Sequence, residues 1–193
     1  MNLSVLRPGI SRPFGLAMLL LALSVLPLRA GGDAAGPEGV VHSLGGDLFA
    51  GGAVPGAASQ PEVRERLDAG LPVAFTYHFL FSRPRHFWFS KTVGERQVVR
   101  AALYDRLSAL YRLETRVGDE PPRIEFARER GDAENFLEHF DALDLGPAGM
   151  DRPTATGLRA SLKVHFLAGT LLLLPWSLET GWREIALVAE PGG

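Results

Sequence analysis

Apolar and mixed positions alternate strictly from Val73 to Ser82. Val73, Phe75, Tyr77, Phe79 and Phe81 fall on one side, and Ala74, Thr76, His78, Leu80 and Ser82 on the other. This two-residue period predicts a β-strand with one face turned to a core. Pro84 then stands between Arg83 and Arg85; it has no N–H to give a ladder and predicts a turn, after which residues 86–91 read as extended again. Leu158, Ala160, Leu162, Val164 and Phe166 predict a second alternating strand. Residues 171–174 (LLLL) before Pro175 are far fewer than the roughly 20 that span a bilayer, so they read as buried strand.

Helical signals punctuate these strands. Ser59 with Glu62 three residues on is a capping-box pattern, Pro61 suits a first turn, Val63 and Leu67 share a face, and Gly70 suits a left-handed exit. They predict a helix over residues 60–69. Asp132 predicts the cap of a second helix, with Phe136 and Phe140 on one face and Leu137 and Leu143 beside them, ending near Gly146. Residues 95–117 fit two templates. Val99, Ala102, Leu103, Leu107 and Leu110 suit an amphipathic helix, whereas Val99, Ala101 and Leu103, then Tyr111, Leu113, Thr115 and Val117, alternate as two strands around a turn at residues 105–108. Residues 40–54 are short apolar pieces broken by glycines, consistent with one or two weak strands and a turn. The expected fold class is mainly β, at the margin of α+β: a single antiparallel, sandwich-like domain over residues 40–190 with two short helices.

The first thirty residues change the picture of where this domain works. Arg7 and Arg12 precede a thirteen-residue apolar run, residues 16–28, and Ala30 offers a small residue for cleavage. That is the layout of a secretory signal peptide over residues 1–30. The run stops at Pro27 and Arg29, short of a membrane span, and an uncleaved anchor is the alternative reading. Residues 31–39 (GGDAAGPEG) have nothing to bury and read as a flexible leader. Expected localisation is therefore the periplasm or cell envelope, with no stable transmembrane anchor after cleavage. The chain has no cysteine, which excludes disulfides, thiolate metal sites and lipid attachment through cysteine.

Loss of residues 1–30 takes away Arg7, Arg12 and Arg29 and no acid, so the formal charge of −2 becomes about −5. An acidic exported chain is a poor nucleic-acid binder, because the phosphate backbone selects for basic surfaces.

Several stretches together resemble a known family. A helix running into LDAGLPVAFTYHFLF, the aromatic-basic RPRHFWF, the run VVRAALYDRLSALYRLE, a capped helix and a closing LPWSLETGW resemble, in order over roughly residues 40–186, the bacterial domain of unknown function (DUF) family 4390. The more specific matches are Gly70, Leu71 and Pro72 after the helix, then Tyr104, Leu107, Tyr111 and Leu113, and finally Trp176 and Trp182 bracketing Thr180 and Gly181. The resemblance implies a small exported, mostly β domain with no established activity and favours the hairpin over residues 95–117. It also implies an accessory role beside a sensor kinase.

The chemistry-bearing residues point the same way. The histidines (His42, His78, His86, His139, His165) include no H-x-x-x-H or HExxH pair, so no metal site is expected, although His78 and His86 would meet across a hairpin centred near Arg83. There is no G-x-S-x-G elbow, and HSLGGD at residues 42–47 lacks the P-loop lysine. No catalytic residue or cofactor is therefore assigned. Arg83, Arg85, His86 and Trp88 form the candidate partner surface, since Trp and Arg are enriched in binding hot spots. The plainer reading is that two of the neighbouring rings face the core and the arginines stack on the others.

Three functions follow as expectations. The first is a non-enzymatic interaction or accessory module of the envelope that holds an envelope protein. The second is a small-ligand or lipid carrier with an inter-sheet cavity lined by Phe75, Phe79 and Phe81. The third, ranked last, is a hydrolase whose site has no recognisable motif.

Overall fold

The computed structural model describes residues 36–44, 47–86, 88–147, 157–171 and 174–189. The expected signal peptide and the leader up to residue 35 lie outside the described residues. Among these, the elements run β1 (Glu38–Leu44), β2 (Asp47–Ala53), α1 (Pro61–Asp68), β3 (Val73–Arg85), β4 (Trp88–Asp105), β5 (Leu110–Val117), β6 (Arg123–Ala127), α2 (Arg130–Glu138), β7 (His139–Pro147), β8 (Arg159–Leu171), β9 (Leu174–Glu179) and β10 (Arg183–Ala189). They fall within one compact unit that begins at Gly31.

The strands form one hydrogen-bonded sheet in the order β6-β5-β4-β3-β8-β10-β1-β2-β7, with β9 also paired to β8. The fold is mainly β with two short helices, a mixed sheet curled into a half-barrel. Two layers do face each other, as a sandwich requires, but they are parts of one sheet. The curl shows in Phe140 of β7, the last strand in the order, which packs edge-on against Tyr77 and Phe79 of β3, with ring centroids 4.9 and 6.0 Å apart. One pairing is parallel: β1 lies beside β10, with Val41 opposite Leu187.

The alternation in β3 is what builds the core. Val73, Phe75, Tyr77, Phe79 and Phe81 are all at most 1% exposed, and Ala160, Leu162, Val164 and Phe166 of β8 bury the matching face next door. A buried side chain of this size contributes about 1.5–3 kcal/mol, so these two strands supply much of the driving force. Val63 and Leu67 of α1 and Ala133 and Leu137 of α2 join the same cluster.

Several local expectations are corrected. β1 begins at Glu38, inside the stretch read as leader. The cap of α1 is Gln60 with no side-chain cap bond, and the Ser59 hydroxyl accepts from Arg64 instead (3.3 Å). Its exit does follow the glycine: Gly70 has φ +71°, and the Gly70 and Leu71 amides donate back to Leu67 and Arg66. Residues 95–117 are strands, β4 turning into β5 through residues 106–109, with the Asp105 carboxylate accepting from the Leu107 amide (2.9 Å) and the Ser108 hydroxyl (2.7 Å).

Pro84 does not turn the chain. It lies within β3, at a register irregularity between Arg83 and Arg85, the kind of position where a strand tolerates a residue without an N–H. The second helix starts earlier and stops sooner than expected, at Glu138, and Phe140 belongs to β7. The helical spacing of Phe136 and Phe140 is real, yet β2 offers a backbone ladder to residues 139–147, and a single local pattern cannot anticipate a partner strand ninety residues back in sequence. Leu171 ends β8 and Leu174 opens β9, and residues 172–173 of the leucine run lie outside the described residues.

Side chains tie the end of α2 and β7 to β3 and β4. The Tyr77 hydroxyl donates to the Leu137 carbonyl, Arg100 Nη1 donates to the His139 carbonyl, and Arg96 Nε donates to the Leu145 carbonyl at 3.1 Å. The Arg100 guanidinium also lies 3.9 Å over the Phe136 ring. Burial pushes the Tyr77 hydroxyl well above its ordinary range and depresses Arg100, as expected where both are withdrawn from water.

Candidate functional site

β3 and β4 run on as a two-stranded ribbon beyond the body of the sheet. The register of β8 with β3 ends at Ser82 opposite Arg159, whereas β3 and β4 remain paired at Arg83↔Lys91 and Arg85↔Trp88. Past Ser82, β3 therefore has β4 on one side and, among the described residues, no strand on the other. All four residues of the candidate surface lie on this ribbon. Arg83, Arg85 and His86 are exposed, and Trp88 opens β4 opposite Arg85. Phe87 lies outside the described residues. Phe89 is 96% exposed and faces no core; the plainer reading then rests on the rings of Phe87 and Trp88, whose side chains lie outside the described residues. The cation-π contact over Phe136 belongs to Arg100, far from this tip.

The electrostatics of the ribbon are one-signed. Arg83 and Lys91 are directly opposed across the two strands, an arrangement that like charges make unfavourable. Residues 81–94 contain no acid, and no ion pair joins Arg83, Arg85 or Lys91 to any described acid. The nearest cation on β8 is different in kind, because Arg159 is answered by Glu184 at 3.7 Å.

A second cluster was not legible beforehand. His78 and Lys163 are cross-strand neighbours on β3 and β8, and the His78 ring packs against His165 with centroids 4.9 Å apart. Glu179 of β9 ties the group together, 3.0 Å from His165 Nδ1 and 2.9 Å from Lys163 Nζ. The Val164 amide donates to the Thr180 hydroxyl and the Thr180 amide to the Val164 carbonyl, at the point where β8 leaves β9 for β10. Burial first, then His165 and Lys163, depresses the His78 imidazole, while the hydrogen bond from Lys163 depresses the Glu179 carboxyl. His78 does not meet His86, which sits at the ribbon's far end. The sequence distance from His78 to His165 hides their contact, and only the non-local β3–β8 pairing creates it.

A cleft of about 310 Å³ lies on the outer side of β1, between Val40, His42, Leu44, Phe49 and Asp141. Asp141 Oδ1 hangs over Gly51, 3.6 Å from where a Cβ would stand. Ser43 also lines it, but it follows His42 on the same strand, so the two side chains leave opposite faces and cannot act as a nucleophile and its base. Among the described residues no group of three or more His, Asp or Glu side chains has the geometry to hold a metal.

A family model described as a domain of unknown function (DUF4390) matches residues 56–185, from just after β2 into β10. No curated protein and no solved structure matches.

Proposed function

Because the chain belongs to the DUF4390 family, a domain of unknown function, we propose that it is a non-enzymatic accessory module of the bacterial envelope that meets its target through the β3–β4 ribbon. The observation that carries this reading is a ribbon tip that the protein's own core does not use: Phe89 at 96% exposure, flanked by Arg83, Arg85 and Lys91, none of which has a described acidic partner. The signal-peptide layout of residues 1–30 supports the envelope, and no helix among the described residues is long and apolar enough to cross a membrane. The core supports binding by a surface: Phe75 packs on Phe166 and Phe79 on Phe140, each of them at most 5% exposed.

Fractionation of cells expressing the full chain tests it. The parent is expected with the envelope, and the triple variant Arg83→Ser, Arg85→Ser, Lys91→Ser in the soluble exported fraction, with circular dichroism and melting unchanged. A triple variant retained like the parent removes the ribbon from the account; a parent found in the cytosol removes the envelope.

A further inference from the structure

We propose that the surface recognised by the ribbon is an anionic lipid headgroup layer, with Arg83, Arg85 and Lys91 on the phosphates and Phe89 in the interface; this rests on the ribbon reading above and names its partner. Three observations favour lipid over a folded protein. The first is the opposed pair: Arg83 and Lys91 repel across the ribbon, and a phosphate set between them turns that repulsion into two attractions. The second is size. Stable protein interfaces draw on roughly 20–30 residues a side, whereas the ribbon beyond Ser82 offers only Arg83 to His86 and Trp88 to Lys91 among the described residues. A flat, laterally continuous surface needs no more than a tip. The third is composition: an exposed phenyl ring beside arginine and lysine is the pairing by which surface-lying segments hold anionic membranes, the ring entering the boundary between headgroups and acyl chains while the cations meet phosphate. The remainder of the chain is acidic, so an anionic membrane repels the body and admits the ribbon first.

The test is co-sedimentation of residues 31–193, the compact unit, with protein-free vesicles of phosphatidylglycerol mixed into phosphatidylcholine, against phosphatidylcholine alone. Binding is expected to the anionic vesicles at least about tenfold more strongly than to neutral ones, and each of Arg83→Ser and Lys91→Ser should weaken it about fivefold. Raising salt from about 0.01 M to about 1 M, which shortens the Debye length from about 30 Å to about 3 Å, should abolish it. Phe89→Ser should weaken binding to anionic vesicles and leave the salt dependence in place. Arg116→Ser, whose charge already pairs with Glu114 at 2.8 Å, should change nothing. Equal binding to both vesicle types, or ribbon variants that bind like the parent, overturns the proposal. If vesicles are ignored while envelope proteins in detergent extract are captured through the three cations, the lipid inference falls and the ribbon reading stands with a protein partner. If the variants alter neither, both fall.

Discussion

The rings of His78 and His165 pack with centroids 4.9 Å apart on neighbouring strands, and among the described residues only one of the two has a carboxylate at hydrogen-bond distance, Glu179 at 3.0 Å from His165. His78 gains a charge beside His165 and Lys163, with Glu95 and Glu179 offsetting them only in part.

The consequence is an acid-sensitive step with a defined sign. His78 titrates below its ordinary 6.5 in the folded state, so the unfolded chain takes up the proton first as pH falls. The stability held by neutral His78 is whole above pH 6.5 and is lost as pH drops through the lowered folded value. Glu179 acts later: its depressed carboxyl adds stability above 4.5 that is lost below it. Urea midpoints measured from above pH 6.5 down to pH 4.5 should decline for the parent and decline less for His78→Gln. Identical slopes would show that His78 is not the sensor.

Phe140→Ala should be the costliest of the simple truncations at β7. The ring is 5% exposed and is shared by Tyr77 and Phe79, and phenylalanine-to-alanine changes in packed cores cost about 3–5 kcal/mol. Equilibrium urea unfolding reads this directly; a loss under about 1 kcal/mol would mean that β7 is not docked on β3 in solution.

Tyr77→Phe isolates the polar part of the same contact. It keeps the ring against Phe140 and removes the donor to the Leu137 carbonyl, leaving a buried acceptor unpaired at a cost of about 1–3 kcal/mol. Hydrogen exchange should also rise in residues 137–140 ahead of the rest of the sheet. Uniform exchange in both proteins would argue against a local role.

Two glycines should respond in opposite directions to alanine. A Cβ on Gly52 would collide with the Glu38 carbonyl oxygen and stand 2.8 Å from Phe140, so Gly52→Ala must push β1 from β2 or shift the ring, costing about 1–3 kcal/mol. A Cβ on Gly131, in the first turn of α2, meets nothing within 4 Å, and Gly131→Ala should add about 0.4–1 kcal/mol by restricting the unfolded chain. Melting temperatures of the two variants check both signs in one experiment.

How much of this was legible beforehand differs by residue. The face Val73 to Phe81 was, because burial of alternate positions needs only a core somewhere above the strand. So was the left-handed exit at Gly70, a conformation that side-chain-bearing residues resist. The end of α2 was not, since Phe140 suits a helix and a strand equally and the ladder with β2 chooses between them. Residue type and position along the chain single out the ribbon, but the exposure of Arg83, Arg85 and His86 and the facing of Arg83 by Lys91 depend on where β8 stops pairing.

By itself the sequence determined the local matters: the strand period, the short helix, expected over residues 60–69 and formed over Pro61–Asp68, the absence of thiol chemistry and the charge balance. These rest on interactions between residues close in the chain or on residue identity. Tertiary structure alone decided that two layers are one curled sheet, that the first strand lies parallel to the last, and that His78, His165 and Glu179 share a surface. Each of those is a pairing between distant segments, and the backbone groups that make it are the same in every residue, so only the competition among whole strands for partners selects it.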